Sequence, residues 1–378
     1  MNLKRSSALV GLVGVVAVAS LTACGSDNNA ASSASGSVTP ASSASCAGKD
    51  KLSAAGSSAQ KNAMDQFTAK YIEVCNSKGK SKNVAYTASG SGDGRTQFIA
   101  KQIDFAGSDS AIKGDQAAKA KQRCAGTDAW NLPMVFGPVA MAYNLPGVDN
   151  LVLNGETIAK IFDGSVKNWN DPAIAALNPG VKLPDQQIGV VYRSDSSGTT
   201  DNFQTYLTAA SHGAWTKGAG SDFVGGVGNG SKGSAGVAQA VRTTPGSIAY
   251  VEESFAAQNK LQTASLDSGS GPVALSTEAA AKSVAAAKFA NPASDDLTLD
   301  LKAMYSSNEP GAYPLVLASY DIVCSKGYDA DTAEAVKSFL TSAANEGQQG
   351  LGALGYVPLP DTIKTKLMTS INAIAPAS

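Results

Sequence analysis

Residues 131–144 read NLPMVFGPVAMAYN and residues 313–323 read YPLVLASYDIV. Both are long, apolar and extended in character. A chain that passes from one lobe into another and later returns needs two such crossings, placed here near 136–142 and 312–318. The body then divides into one lobe of residues 51–136 plus 314–378 and a second of residues 137–313. Working outward from the crossings, short strands alternate with helices. Leu52–Gly56 reads as a strand and turn, and Met64, Phe67, Tyr71 and Val74 recur at helical spacing. Strands are expected at 83–88, 103–106, 188–192 and 248–251. Helices are expected at 96–101, 199–210, 331–345 and 361–374, with a broken helical region at 151–178 and a glycine-rich loop at 225–236. Alternation of this kind defines an α/β class with mainly parallel sheets.

Composition narrows the function. The chain has 378 residues, 43% of them hydrophobic, enough for a sizeable core or two smaller ones. Only 16% are charged and the formal net charge is −1, which leaves no basic footprint for nucleic acid. Lys4 and Arg5 precede an apolar run from Ala8 to Ala19, and Leu21-Thr22-Ala23-Cys24 follows. That order is a secretory signal, too short for an ordinary spanning helix. A cut site ending on Cys resembles the lipobox of bacterial lipoproteins, which implies removal of residues 1–23 and a lipid on Cys24. Residues 24–50 then form a flexible tether rich in Ser, Ala, Gly and Asn. The protein would sit on the extracellular face of the cell membrane.

Loss of the leader removes two of the 30 basic residues and leaves 28 against 31 acidic ones, a net −3. An anion binder with that balance works against its own field and needs local donors. Besides Cys24 there are four cysteines, Cys46, Cys75, Cys124 and Cys324. In an oxidising compartment they suggest two disulfides, with three possible pairings. None is in a CxxC and His212 is the single histidine, so no metal centre is expected.

Three segments place glycine and hydroxyl residues just before a helix: Gly56-Ser57-Ser58-Ala59, Gly90-Ser91-Gly92-Asp93-Gly94 and Ser196-Ser197-Gly198-Thr199. Helix starts carry unpaired N–H groups and partial positive charge, and bind tetrahedral anions without net charge. Arg193, after a strand, offers a guanidinium fork, and Asp195 can hold it in position. Asp109, at the end of IDFAGSD (103–109), is a carboxylate where an anion is expected. It makes sense if the ligand carries a hydrogen. Phosphate keeps at least one near neutral pH, because its last ionisation needs strong alkali. Sulfate does not, and meets the carboxylate with repulsion.

AGSS (55–58), ASGSGDG (88–94), IDFAGSDS (103–110), LNGETIAKIFDGSVKNWNDPAIAALNPG (153–180), RSDSSGTT (193–200), GSAGVAQAV (233–241) and TPGSIAYVE (244–252) together resemble the phosphate-binding protein of the Pst-type ABC importer. The resemblance runs from about residue 52 to the C-terminus. It implies a two-lobed periplasmic-binding-protein (type II, Venus-flytrap) fold with the ligand in the interlobe cleft, no cofactor, and membrane permease subunits as partners. It implies that inorganic phosphate is held by Ser58, the N–H of Ala59, Ser91, Asp109, Arg193, Ser197, Gly198 and Thr199, supported by Ser57, Gly92 and Asp195. The first motif departs from the commoner AGSTFPAP, but Ser58 keeps its hydroxyl and Ala59 needs only its N–H. Asp93 also departs, and Arg95 is expected to neutralise it. A secreted phosphatase is disfavoured, because neither a GxSxG elbow nor a P-loop is present. Binding of another tetrahedral oxyanion such as sulfate is the alternative that Asp109 opposes.

Overall fold

The computed structural model describes residues 44–377. The leader, Cys24 and tether residues 24–43 lie outside the described residues. Tether residues 46–50 do not behave as composition suggests. Cys46 is buried and bonded to Cys75, Lys49 N–H donates to the Asp331 carbonyl at 3.1 Å, and the Lys49 ammonium pairs with Asp104. A disulfide and an ion pair overcome the low hydrophobicity of this segment. The second bridge joins Cys124 to Cys324, 200 residues apart in sequence.

Among the described residues the main sheet has nine strands. Eight are β1 (Lys51–Gly56), β2 (Asn83–Thr87), β3 (Phe105–Ser108), β4 (Ala129–Asn144), β5 (Gly189–Arg193), β6 (Asn229–Ser231), β7 (Ser247–Glu252) and β8 (Val316–Cys324). Their order is β2-β1-β3-β8-β4-β7-β5-β6, with Gln262–Thr263 paired on β4. β1, β2 and β3 are mutually parallel, as are β7, β5 and β6. β8 and β4 run antiparallel to their neighbours between these two groups.

The middle position explains the sequence of β4 and β8. Strands covered on both faces read as continuous apolar runs; β8 is buried along its whole length and β4 from Asn131 to Tyr143. β4 pairs with β8 as far as Pro138↔Val316, then with β7 from Val139↔Glu252 onward. A proline cannot donate to a ladder and is tolerated at bulges and irregularities. Pro138 stands where the partner changes. Pro133 stands where the β4–β8 register slips, between Ser319 and Tyr320.

Helices α1 (Lys61–Ser77), α2 (Ser91–Ile99), α3 (Gly198–Ala210), α4 (Gly233–Thr243), α5 (Ala330–Ala344) and α6 (Asp361–Ala373) pack on this sheet or on one another. α1 turns Met64, Phe67, Tyr71 and Cys75 inward, a three- and four-residue spacing. Stacked rings stiffen the platform under each strand group. Phe105 lies on Phe339 with centroids 5.4 Å apart, and Phe203 on Tyr250 at 4.2 Å. Each fully buried ring removes enough apolar surface to stabilise by roughly 1.5–3 kcal/mol.

Two expected elements differ. Residues 225–236 are not one loop: β6 and the start of α4 lie there. Gly233 and Gly236 lower helix propensity, but burial of Val237, Ala238 and Val241 against the sheet outweighs it. The helix expected at 96–101 starts five residues earlier, at Ser91, because Gly90 (φ +106°) permits the sharp entry. In that left-handed range a side chain at 90 is strained, and its Cβ would also lie 2.7 Å from Asp195 Oδ2.

Candidate functional site

Three helix starts meet where β3 and β5 end. α2 begins at Ser91 and α3 at Gly198, with Ser197 as the cap accepting the Thr200 N–H at 3.1 Å. Gln60 precedes α1 and donates its own N–H to Ser57 Oγ at 3.1 Å, so the turn 57–60 is held from within. The helix starts touch across the molecule. A Cβ on Gly198 would lie 2.6 Å from both Asp109 Cβ and Ser91 Oγ, and Gly92 N–H donates to the Ser196 carbonyl at 3.0 Å.

Asp109 follows β3 and is fully enclosed. Its Oδ1 accepts from Ser57 Oγ at 2.6 Å and Ser319 Oγ at 2.7 Å; Oδ2 accepts from Ser91 Oγ at 3.2 Å. A carboxylate has roughly four acceptor positions, so three hydroxyl donors leave room for one more hydrogen. Burial pushes this carboxyl up to about 6. The Ser57 and Ser319 hydroxyls oppose the rise, the charge of Glu252 adds to it and that of Arg193 subtracts. The Asn202 amide, from α3, fixes the Asp109 carbonyl at 2.6 Å.

Arg193 ends β5 and is buried. Nε donates to Asp195 Oδ1 at 2.8 Å and Nη2 to Oδ2 at 2.5 Å, a two-pronged pair. Nη1 reaches Thr199 Oγ1 at 3.3 Å and Ser234 Oγ at 3.4 Å. Burial by itself lowers a guanidinium; the Asp195 pair reverses this and keeps Arg193 above its ordinary range. Burial likewise raises Asp195, but Arg193 and the Gly233 N–H, 3.0 Å away, hold it below the usual carboxylate value. Ser58 lies across from α4: its Oγ is 2.9 Å from Ser234 Oγ and accepts the Ser234 N–H at 3.0 Å. A crevice lined by Ser58, Lys61, Lys232 and Ser234 opens beside it. The Lys61 ammonium pairs with Asp65 on its own helix, so the positive character beside Asp109 comes from Arg193 and the helix starts.

The structure therefore brings Ser57, Ser58, Ser91, Gly92, Asp109, Arg193, Asp195, Ser197, Gly198 and Thr199 to one place, with Ala59 buried next to Ser58. The expected pairing of Arg95 with Asp93 is not found. Asp93 points outward and accepts from Gln97 at 2.6 Å, while the buried Arg95 bonds Ser108, Gln116 and Ser221. Successive helical positions face different ways, so i and i+2 do not meet. Asp93 accordingly stays away from the other acids of the site.

Sequence reasoning missed Ser234, Ser319, Tyr250 and Glu252. Tyr250 OH accepts the Arg193 N–H at 3.1 Å, and Glu252 accepts from Thr199. Glu252 carried the same signal as Asp109, an acid at the end of an apolar strand. Ser234 was hidden by the loop reading of its segment. Ser319 carried no signal: it is one hydroxyl in an apolar run, and only the register of β8 aims it at Asp109.

These geometries and the fold define an anion-binding protein of the α/β binding-protein class. The PBP superfamily domain matches residues 39–344. Among curated relatives, the phosphate-binding protein PstS 3 of Mycobacterium leprae is 49% identical over 377 residues, 99% of this chain and 100% of that one. PstS 2 of Mycobacterium tuberculosis is 46% identical over 379 residues with the same coverage. The chain belongs to this PstS family of phosphate-binding proteins. Solved structures agree in fold: a periplasmic phosphate-binding protein, PfluDING, superposes with a TM-score of 0.68 at 21% identity, covering 84% of this chain and 93% of that one. A phosphate-binding protein of Stenotrophomonas maltophilia gives 0.65 at 19% identity, covering 86% and 96%.

Proposed function

We propose that this protein captures inorganic phosphate outside the cell and delivers it to the permease subunits of a phosphate ABC importer, without turnover. It is held at the membrane by a lipid on Cys24. The anion is gripped by Ser58, the Ala59 N–H, Ser91, Asp109, Arg193, Ser197, Gly198 and Thr199, in a cleft between lobes 51–136 plus 314–378 and 137–313. The observation that carries this reading is the apposition of a fixed guanidinium, a helix start and a buried acid. The first two hold an oxyanion and the third demands a hydrogen from it. Closure of the lobes is the binding step, and the β4 and β8 crossings near Pro138 and Val316 are its hinge.

Isothermal titration of the soluble body tests the proposal. Phosphate and arsenate are expected to bind at micromolar concentration or better, about −8 kcal/mol, and sulfate not to bind. Asp109→Asn presents a donor where phosphate offers its hydrogen. It should weaken phosphate at least tenfold and narrow the gap to sulfate. Heat from sulfate equal to that from phosphate in the unmodified protein would refute the role of Asp109. Gly198→Ala should also weaken phosphate at least tenfold, since its Cβ would lie 2.6 Å from Asp109 Cβ and Ser91 Oγ across the site.

A further inference from the structure

Glu252 has no part in the reading above. It ends β7, where the partner of β4 changes, and its exposure is 1%. Thr199 Oγ1 donates to its Oε1 at 2.5 Å, and Oε2 has no partner among the described residues. The Thr199 hydroxyl is nearly spent. Its one hydrogen goes to Glu252, and it accepts from Arg193 Nη1 at 3.3 Å. A ligand oxygen can take that hydrogen only by leaving a buried carboxylate with no donor at all, which is costly. The charge itself also opposes any anion beside Arg193, and Coulomb repulsion doubles when the ligand carries two charges instead of one.

We propose that Glu252 is a specificity-determining positioning residue: it competes with the bound anion for the Thr199 hydrogen and penalises ligands in proportion to their charge. The inference rests on the phosphate-binding reading. The ionisable groups around Glu252 are Arg193 at the end of β5, Asp109 after β3, Tyr250 on its own strand, Glu253 next in the chain and Tyr356. Arg193 is committed to Asp195 through two of its nitrogens, so it does not neutralise Glu252 outright.

Glu252→Gln keeps the shape and an acceptor for Thr199 but removes the charge. Phosphate is mostly singly charged at pH 5.5 and doubly charged at pH 8. Calorimetry at both values, repeated with Asp109→Asn so that titration of that carboxyl drops out, should show the Glu252→Gln variant binding phosphate more tightly, with a gain at pH 8 at least about threefold larger than at pH 5.5. Sulfate affinity should rise as well. Thr199→Val probes the link from the other side. It deprives the carboxylate of its donor and should weaken phosphate by a larger factor at pH 8 than at pH 5.5. Equal factors at the two pH values, in either variant, would overturn the proposal. Absence of phosphate heat from the unmodified protein would instead sink the reading on which it rests.

Discussion

Arg193→Ala is expected to cost at least a hundredfold in phosphate affinity. Hydrogen bonds to charged groups contribute about 1.5–3 kcal/mol each, and the fork supplies them from a cation already fixed by Asp195. The loss does not stop at the ligand contacts. Without the guanidinium, Asp195 keeps only the Gly233 N–H of its strong donors, and a half-buried acid is left facing an incoming anion. Removing one partner of a buried pair is far worse than removing both. Arg193→Lys should recover little, because an ammonium cannot hold both oxygens of Asp195 while reaching forward. Titration of the two variants beside the unmodified protein decides the matter. Retention of affinity within threefold in Arg193→Ala would remove the guanidinium from the site. The melting temperature should also fall.

Asp321→Asn is expected to stabilise the protein above neutral pH. Asp321 lies on β8 beneath the site, paired with Gly107 of β3, and is buried. Burial pushes its carboxyl from 3.8 up to about 7, opposed only by the Gln60 amide, whose Nε2 donates to Oδ1 at 2.9 Å. Oδ2 and Gln60 Oε1 have no partner among the described residues. A protonated Asp321 has a hydrogen to give and Gln60 has an acceptor to spare. An ionised Asp321 has neither. Below pH 3.8 the folded and unfolded chains both hold the proton. Between that value and about 7 the unfolded chain releases it while the folded chain keeps it, so stability declines as pH rises; above 7 the penalty is constant. At about 1.4 kcal/mol per unit, the full penalty is on the order of 4 kcal/mol. Asparagine carries the donor permanently and pays none of it. Denaturant titrations should show the variant and the unmodified protein nearly equal near pH 4 and the variant ahead by about 4 kcal/mol at pH 8. Equal stability at both pH values would mean that Asp321 is ionised without cost.

Much of the architecture was legible because it is written in local patterns. The apolar runs of β4 and β8, the helical spacing of α1 and the strand-to-helix joint at Arg193–Thr199 follow from period and polarity alone. The glycine-rich start of α4 was not legible, since its stability comes from the face it buries on the sheet. The fate of Arg95 was not legible either: proximity to Asp93 in the chain suggested a pair, and helix geometry turned the two residues apart.

The chemical types in the site were fixed by the amino-acid order itself: a fork-shaped cation with its own acid two residues on, hydroxyls and glycines at helix starts, and a lone acid after β3. Those are short-range relationships, set within one strand–turn–helix unit. Which groups from distant units face one another was decided only by tertiary packing. Ser319 reaches Asp109 across 210 residues because β8 is antiparallel to β3 in one particular register, and Glu252 reaches Thr199 because β5 and β7 are neighbours in the sheet. Strand pairing obeys the burial of whole faces and the closing of long loops, and no short stretch of sequence encodes either.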